Sequence, residues 1–122
     1  MKKYKSKSLI AITGANGFVG RALCQELSLR KINHRRIQRK KEGNAFLVDS
    51  LEQNNKFSKA LIGVDILIHC AGIAHQNKSN SQSNLFSYDE VNYKGTVNLA
   101  KLASEQGVKR FIFNISQWQR YT

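Results

Sequence analysis

Gly14, Gly17 and Gly20 follow the apolar run Leu9 to Thr13 in "LIAITGANGFVG", at the spacing TGxxGxxG. Glycines so placed between a strand and a helix form an anion cradle. The first makes the tight turn, the second lets backbone approach a pyrophosphate, and the third lets the helix pack closely on the sheet. The anion then rests on N–H groups at the helix start, where the macrodipole is equivalent to about half a positive charge. Glycines also make plain turns. The strand before, the helix after and a discriminating residue some 20 positions on favour dinucleotide binding here.

That discriminator points to a phosphate. A domain preferring NAD places Asp or Glu at the end of its second strand, to bond the ribose hydroxyls. Between Arg35 and Lys41 this chain has no acid. Arg39, with Arg36 or Lys40 as possible helpers, is placed to pair with the 2′-phosphate of NADP, so NADP is slightly favoured over NAD. The competing reading of these cations is a solvated basic face.

The elements that must hold the cradle are legible as alternation. Leu9 to Thr13 is a short continuous apolar run, as expected of a strand buried on both faces. Val19, Ala22, Leu23 and Leu27 recur at helical spacing and predict a helix from about Gly17 to Arg30. "HRRIQRK" is a strand by position only. "AFLV" before Asp49 is a third strand, and Ser50 with Gln53 forms a capping box for the next helix, whose apolar side is Leu51, Phe57, Ala60 and Leu61. "VDILIHC" is a clear buried strand, and "HQNKSNSQSN" (residues 75–84) reads as a polar loop. A long helix runs from about Leu85 to Gln106, ended by Gly107, and "VKRFIFNI" is the fifth strand. Strand and helix in regular alternation imply parallel pairing with right-handed crossovers. The expected fold is α/β, a Rossmann-like doubly wound parallel sheet of strand order 3-2-1-4-5.

At 122 residues and 41% hydrophobic content there is material for one globular domain. The apolar run after the charged arm "MKKYKSKS" is shorter than the roughly seven residues of a secretory core, and no membrane span is evident, so the expected location is cytoplasmic. Cys24 and Cys70 form no CxxC, and neither a metal site nor a disulfide framework is expected; both read as buried thiols. The net charge of +12 suggests nucleic acid, but its distribution does not. Lys2, Lys3, Lys5 and Lys7 form a tail, and Arg30, Lys31, Arg35, Arg36, Arg39, Lys40 and Lys41 form a cluster without interleaved aromatics.

Taken in order, "ITGANGFVG", "FLVDS", "VDILIHCAGIAH", "VNYKGTVNLA" and "VKRFIFNIS" resemble the extended short-chain dehydrogenase/reductase family, the NAD(P)-dependent sugar epimerases and dehydratases, over nearly the whole chain. "HCAGIAH" with "GVKRFIF" looks closest to bacterial UDP-hexose 4-epimerases and nucleotide 4-keto-sugar reductases of surface-polysaccharide pathways. The resemblance implies that Gly14, Asn16, Gly17, Phe18, Val19 and Gly20 contact the cofactor. It places Asp49, followed by Ser50, against the adenine, although Asp49 also suits a helix N-terminus. Cys70, Ala71 and Gly72 would let the cofactor pass close after the fourth strand, and Asn92 would lie near the nicotinamide ribose, or else on a helix surface. Ser116 falls where the family keeps a catalytic serine or threonine, though a strand-end serine is commonplace. His75 faces the substrate cleft or plain solvent, and His69 reads as a core residue with a satisfied ring. The implied partner is a nucleotide sugar, UDP-linked by the subgroup resemblance, with no metal. The oligomeric state is left open.

The family's chemistry also uses a YxxxK pair, whose lysine favours tyrosinate for proton exchange with the sugar hydroxyl. Four residues after Tyr4, Tyr88 and Tyr93 stand Ser8, Asn92 and Val97, and Tyr121 is followed only by Thr122. The expected organisation is a basic arm (1–8), an incomplete NAD(P)-binding Rossmann domain (9–116) truncated after strand five, and an aberrant tail (117–122). Two functions compete: an epimerase or reductase cut by a frameshift or early stop after Asn114 or Ser116, or a non-catalytic NAD(P)-binding module acting as sensor or partner subunit.

Overall fold

A computed structural model of the chain describes residues 8–38, 45–47, 54–70 and 82–113, with only the backbone of Phe46 and of residues 82–92. Strand β1 (Ile10–Thr13) leads into helix α1 (Phe18–Leu29), then β2 (His34–Gln38), β3 (Phe46–Leu47), α2 (Asn54–Ala60), β4 (Ile66–His69), α3 (Gln82–Glu105) and β5 (Arg110–Phe113). The five described strands form one sheet in the order β3-β2-β1-β4-β5. Every pairing is parallel, as the alternation of strand and helix requires.

The register places Ile12 beside Arg36 on one side and Ile68 on the other, with Ile112 beyond Ile68. Alternate residues therefore feed two separate packed layers. On one face Ala11, Ile37 and Leu67 meet Phe57, Ala60 and Leu61 around α2 and Leu99, Leu102 and Ala103 on α3. On the other, Ile12 and Ala15 pack with Cys24 and Leu27 of α1. Leu61, Leu67 and Leu99 are fully buried, each such burial stabilising by roughly 1.5–3 kcal/mol. Both faces of β1 are covered, which is why its sequence is continuously apolar.

Strand β2 succeeds despite its charges because Arg35 has a structural task. Its Nη1 donates to the carbonyls of Ala60 (2.6 Å) and Ile62 (2.8 Å), capping the C-terminal end of α2. A cation there meets the negative end of the helix dipole. Three residues beyond Ile62, Asp65 joins the N-terminal ends of three strands. Leu9 N–H donates to its Oδ2 (2.9 Å), its own N–H donates to the Leu9 carbonyl (2.9 Å), and its carbonyl accepts from Lys109 N–H (2.8 Å).

Gly107 ends α3 as its position in the sequence suggests, at φ 86°. Its N–H bonds the Ser104 carbonyl (3.1 Å) and Val108 N–H bonds the Ala103 carbonyl (2.9 Å), a Schellman closure. The start of α3 corrects the sequence reading, because Gln82 to Asn84 are helical rather than part of a loop. Polar residues that lack helical periodicity are at home in a first turn, where free N–H groups need solvent or side-chain acceptors. The capping box at Ser50 and Gln53 lies outside the described residues.

Candidate functional site

The site is built where β1 and β4 end side by side, with the helices that come after them in sequence, α1 and α3, packed on opposite faces of the sheet. Such a switch point opens a crevice beyond the strand ends. After Thr13 the chain turns at Gly14 with φ 64°, a conformation that side chains resist. Gly17 N–H closes the turn on the Gly14 carbonyl (3.0 Å), and Ala15 N–H bonds the Ile37 carbonyl (3.3 Å), drawing the turn over the end of β2.

Gly20 is sterically compelled. A Cβ there would stand 2.0 Å from the Gly14 carbonyl oxygen and 2.9 Å from the Ala15 Cα, so α1 begins directly against the turn. At Gly17 a Cβ would meet the same oxygen at 3.3 Å, a contact that a small shift relieves. Steric need inside the chain is therefore strong at Gly20 and weak at Gly17. Gly17 is the N-cap, with no side-chain cap bond, and the first turn of α1 contains no acid. The N–H groups of Phe18, Val19 and Gly20 have no acceptor within the helix and can converge on an anion. Phe18 is 93% exposed, so its contribution at this point is backbone, with its ring projecting into solvent. This cradle of N–H groups, free of acids and close to glycine backbone, fits a dinucleotide pyrophosphate.

The two strand ends are bolted beneath the turn. Thr13 Oγ1 meets His69 Nδ1 at 2.6 Å, and Cys70 N–H donates to the same hydroxyl at 3.0 Å. His69 is fully buried and stacks between Phe111 and Phe113, at centroid distances of 6.1 and 5.6 Å. Burial lowers its pKa from 6.5 to about 4. The expected satisfied ring is only half so, because Nε2 has no partner among the described residues. Sequence spacing offered no sign of Thr13 as its partner, since the two residues adjoin only through the β1–β4 register.

Cys70 stands at the strand end with its backbone in this network, while its side chain packs against the Ile12 and Cys24 cluster. Burial raises the thiol pKa of both cysteines; Arg36 opposes the rise at Cys24, and Cys24 adds to it at Cys70. Arg36 lies within β2 opposite Ile12, short of the strand end. Arg21, which sequence reasoning passed over, folds its Nη2 back onto the Asn16 carbonyl at 3.0 Å.

The structure thus brings together Gly14, Asn16, Gly17, Phe18, Val19, Gly20 and Cys70. Arg39, Asp49, Ser50, Ala71, Gly72, His75 and Ser116 lie outside the described residues, as does the side chain of Asn92. Among the described residues no group of His, Cys, Asp or Glu is arranged to hold a metal ion, and no helix is long and apolar enough to cross a membrane.

Residues 10–118 match the NAD dependent epimerase/dehydratase family. The chain is 39% identical over 114 residues to the UDP-glucose 4-epimerase of Vibrio cholerae, covering 89% of this chain and 35% of that protein. It is 31% identical over 108 residues to the L-arabinose 1-dehydrogenase (NAD(P)(+)) of Haloferax volcanii, covering 85% of this chain and 39% of that one. A solved short-chain dehydrogenase/reductase superfamily protein from Agrobacterium tumefaciens with bound NAD superposes with a TM-score of 0.72 at 31% identity, over 86% of this chain and 31% of that chain. The chain therefore spans little more than a third of the length of these two curated relatives.

Proposed function

The chain belongs to the NAD dependent epimerase/dehydratase family, and on that premise we propose that it is the cofactor-holding part of an enzyme that moves hydride at a carbon of a nucleotide-linked sugar. The observation that carries the cofactor reading is the seating of Gly20 on Gly14, which leaves the uncapped, acid-free start of α1 facing the crevice. In this reading Gly14, Asn16, Gly17, Phe18, Val19 and Gly20 hold the pyrophosphate side through backbone. Arg39 pairs with a 2′-phosphate, Asp49 and Ser50 meet the adenosine, Cys70, Ala71 and Gly72 form the close-passing wall, and Asn92 meets the nicotinamide ribose. Bound there, the nicotinamide supplies the hydride acceptor and donor. Ser116 holds the sugar oxygen.

The nucleotide-sugar part is supported by the likeness to the Vibrio cholerae epimerase. Its proton-transfer partner is a YxxxK pair, which these 122 residues do not contain. General acid and base assistance is worth roughly 100- to 10,000-fold in rate. The 122-residue chain is expected to bind NAD(P) saturably and to leave UDP-glucose essentially unconverted.

Calorimetric titration with NAD and NADP tests the binding, and product analysis after incubation with NAD and UDP-glucose tests the turnover. Absence of binding by either dinucleotide defeats the cofactor reading. Conversion at the rate of a complete epimerase defeats the assignment of proton transfer to a missing pair. Tighter binding of NAD than of NADP removes the role given to Arg39.

A further inference from the structure

The N-terminal ends of the strands lie opposite the crevice and form a surface of different chemistry. Ile10 N–H bonds the Asn33 carbonyl (3.3 Å), Asp65 N–H bonds the Leu9 carbonyl (2.9 Å) and Arg110 N–H bonds the Asp65 carbonyl (3.2 Å), so the starts of β1, β2, β4 and β5 stand side by side there. Helices α1, α2 and α3 all finish at this end, because each leads into a parallel strand. Three aliphatic side chains are left outside the core among these connections. Leu29, the last residue of α1, is 78% exposed, and Ile32 beyond it is 38% exposed. The turn after α2 closes by Val64 N–H on the Leu61 carbonyl (3.1 Å); it buries Leu61 and Val64 and leaves Ile62 58% exposed. Single apolar residues on a surface are ordinary, but three that share one end of a sheet, beside the half-buried Leu9 and Val108, make a contact surface.

The charge around them identifies its chemistry. Lys31, Lys59 and Arg110 are exposed and have no acidic partner among the described residues. Glu26 is engaged by Arg30 at 2.7 Å, and Asp65 by Leu9 N–H at 2.9 Å with Lys109 Nζ at 3.9 Å. Glu105 is the only other acid whose side chain is described. Lys2, Lys3, Lys5 and Lys7 precede Leu9, so the sequence attaches four more cations at this end. Nucleic acid offers the matching negative charge but nothing for exposed leucine and isoleucine, and among the described residues here no exposed aromatic ring is present to stack a base. An acidic bilayer surface takes both: aliphatic side chains enter the headgroup boundary while cations rest on the lipid headgroups.

We propose that the N-terminal end of the sheet docks on an anionic lipid surface, with Leu29, Ile32 and Ile62 inserted and Lys31, Lys59 and Arg110 on the headgroups. Stable attachment to a membrane surface takes two signals, here aliphatic insertion and basic charge. The crevice, at the other ends of the strands, then faces away from the lipid and stays open. The inference is independent of what the crevice binds.

The test is cosedimentation of the 122-residue chain with vesicles of phosphatidylcholine alone and of phosphatidylcholine with about one-third phosphatidylserine. The parent is expected to sediment with the serine-containing vesicles only. Leu29→Ser combined with Ile62→Ser should weaken that binding about tenfold, and Lys31→Gln, Lys59→Gln and Arg110→Gln about fivefold each. Lys94→Gln, about 16 Å along α3 from its end, should leave the binding within about twofold. Circular dichroism melts check that each variant folds as the parent does. A parent that stays in the supernatant with both kinds of vesicle overturns the proposal. So does vesicle binding that the Leu29 and Ile62 pair of substitutions leaves unchanged. A double-stranded oligonucleotide that strips the chain from the vesicles at equal phosphate concentration would assign the surface to nucleic acid instead.

Discussion

Thr13 and His69 meet at 2.6 Å across the C-terminal ends of β1 and β4, with the Thr13 hydroxyl also accepting the Cys70 N–H at 3.0 Å. One side chain from each strand thus fixes the separation of the two strand ends that flank the crevice. Both residues are buried, at 1% and 0% exposure, so neither can turn to water if its partner is lost. The glycine turn starts at the next residue after Thr13, and its position depends on this join.

Replacing Thr13 by valine keeps shape and removes the hydroxyl. His69 Nδ1 then has no partner in the bolt, and the Cys70 N–H retains only its longer bond to the Thr13 carbonyl at 3.3 Å. Leaving buried polar groups unpaired costs about 1–3 kcal/mol. Urea unfolding of Thr13→Val should show that loss, and Thr13→Ser should recover most of it. A valine variant as stable as the parent would show that the hydroxyl carries no part of the join.

The same histidine makes stability depend on pH. Its folded pKa, about 4, lies below the ordinary 6.5 because burial penalises the charged ring. Below 6.5 the unfolded chain takes up a proton that the folded chain refuses, so this contribution is full above pH 6.5, falls as pH drops, and levels off below about 4. Across that window the loss is on the order of 3 kcal/mol. Asparagine at this position cannot titrate and can offer an acceptor to Thr13. The difference in unfolding free energy between the parent and His69→Asn should therefore slope between pH 6.5 and 4 and be flat above it; a flat difference throughout would remove His69 from the acid response.

The glycines of the turn should separate stability from binding. Gly20→Ala places a methyl 2.0 Å from the Gly14 oxygen, which is backbone and cannot swing aside. Overpacking of this kind costs roughly 1–3 kcal/mol and displaces α1 from the turn. Gly17→Ala meets only one contact at 3.3 Å and should unfold close to the parent. It should nevertheless lose NAD and NADP affinity, since its methyl stands where the pyrophosphate approaches backbone. Thermal melting paired with dinucleotide titration checks both; an alanine at Gly17 that binds normally would relocate the phosphate.

Much of this architecture was readable in advance because its causes are local. The continuous apolar runs of β1 and β4 announce strands covered on both faces, and Gly107 announces the end of α3. Strand β2 was readable from position alone, since the task of Arg35 is to cap α2, whose last residue, Ala60, comes 25 residues later in the chain. Such a cap leaves no periodic trace in sequence. The same holds for the pairing of Thr13 with His69, set by strand register, and for Arg21 on Asn16, where an arginine in a helical stretch looks like any solvated charge. Motif spacing found the backbone of the site, whereas the side chains that brace it depend on contacts between strands.

Helix α1 ends in the same closure as α3, but without glycine. Lys31 N–H bonds the Ser28 carbonyl (3.0 Å) and Ile32 N–H bonds the Leu27 carbonyl (2.9 Å), which puts Lys31 at φ 57°. An L side chain in that left-handed region costs about 1–2 kcal/mol, partly offset here because glycine has more freedom to lose on folding. Lys31 is exposed, so its side chain contributes little packing that the exchange would forfeit. Lys31→Gly should therefore stabilise the chain by about 0.5–1 kcal/mol. Because the residue lies at the opposite end of α1 from the glycine turn, the variant should raise the urea midpoint while leaving the NADP to NAD affinity ratio where it was. A lowered midpoint would mean that the lysine side chain, rather than the backbone closure, holds this end of the helix.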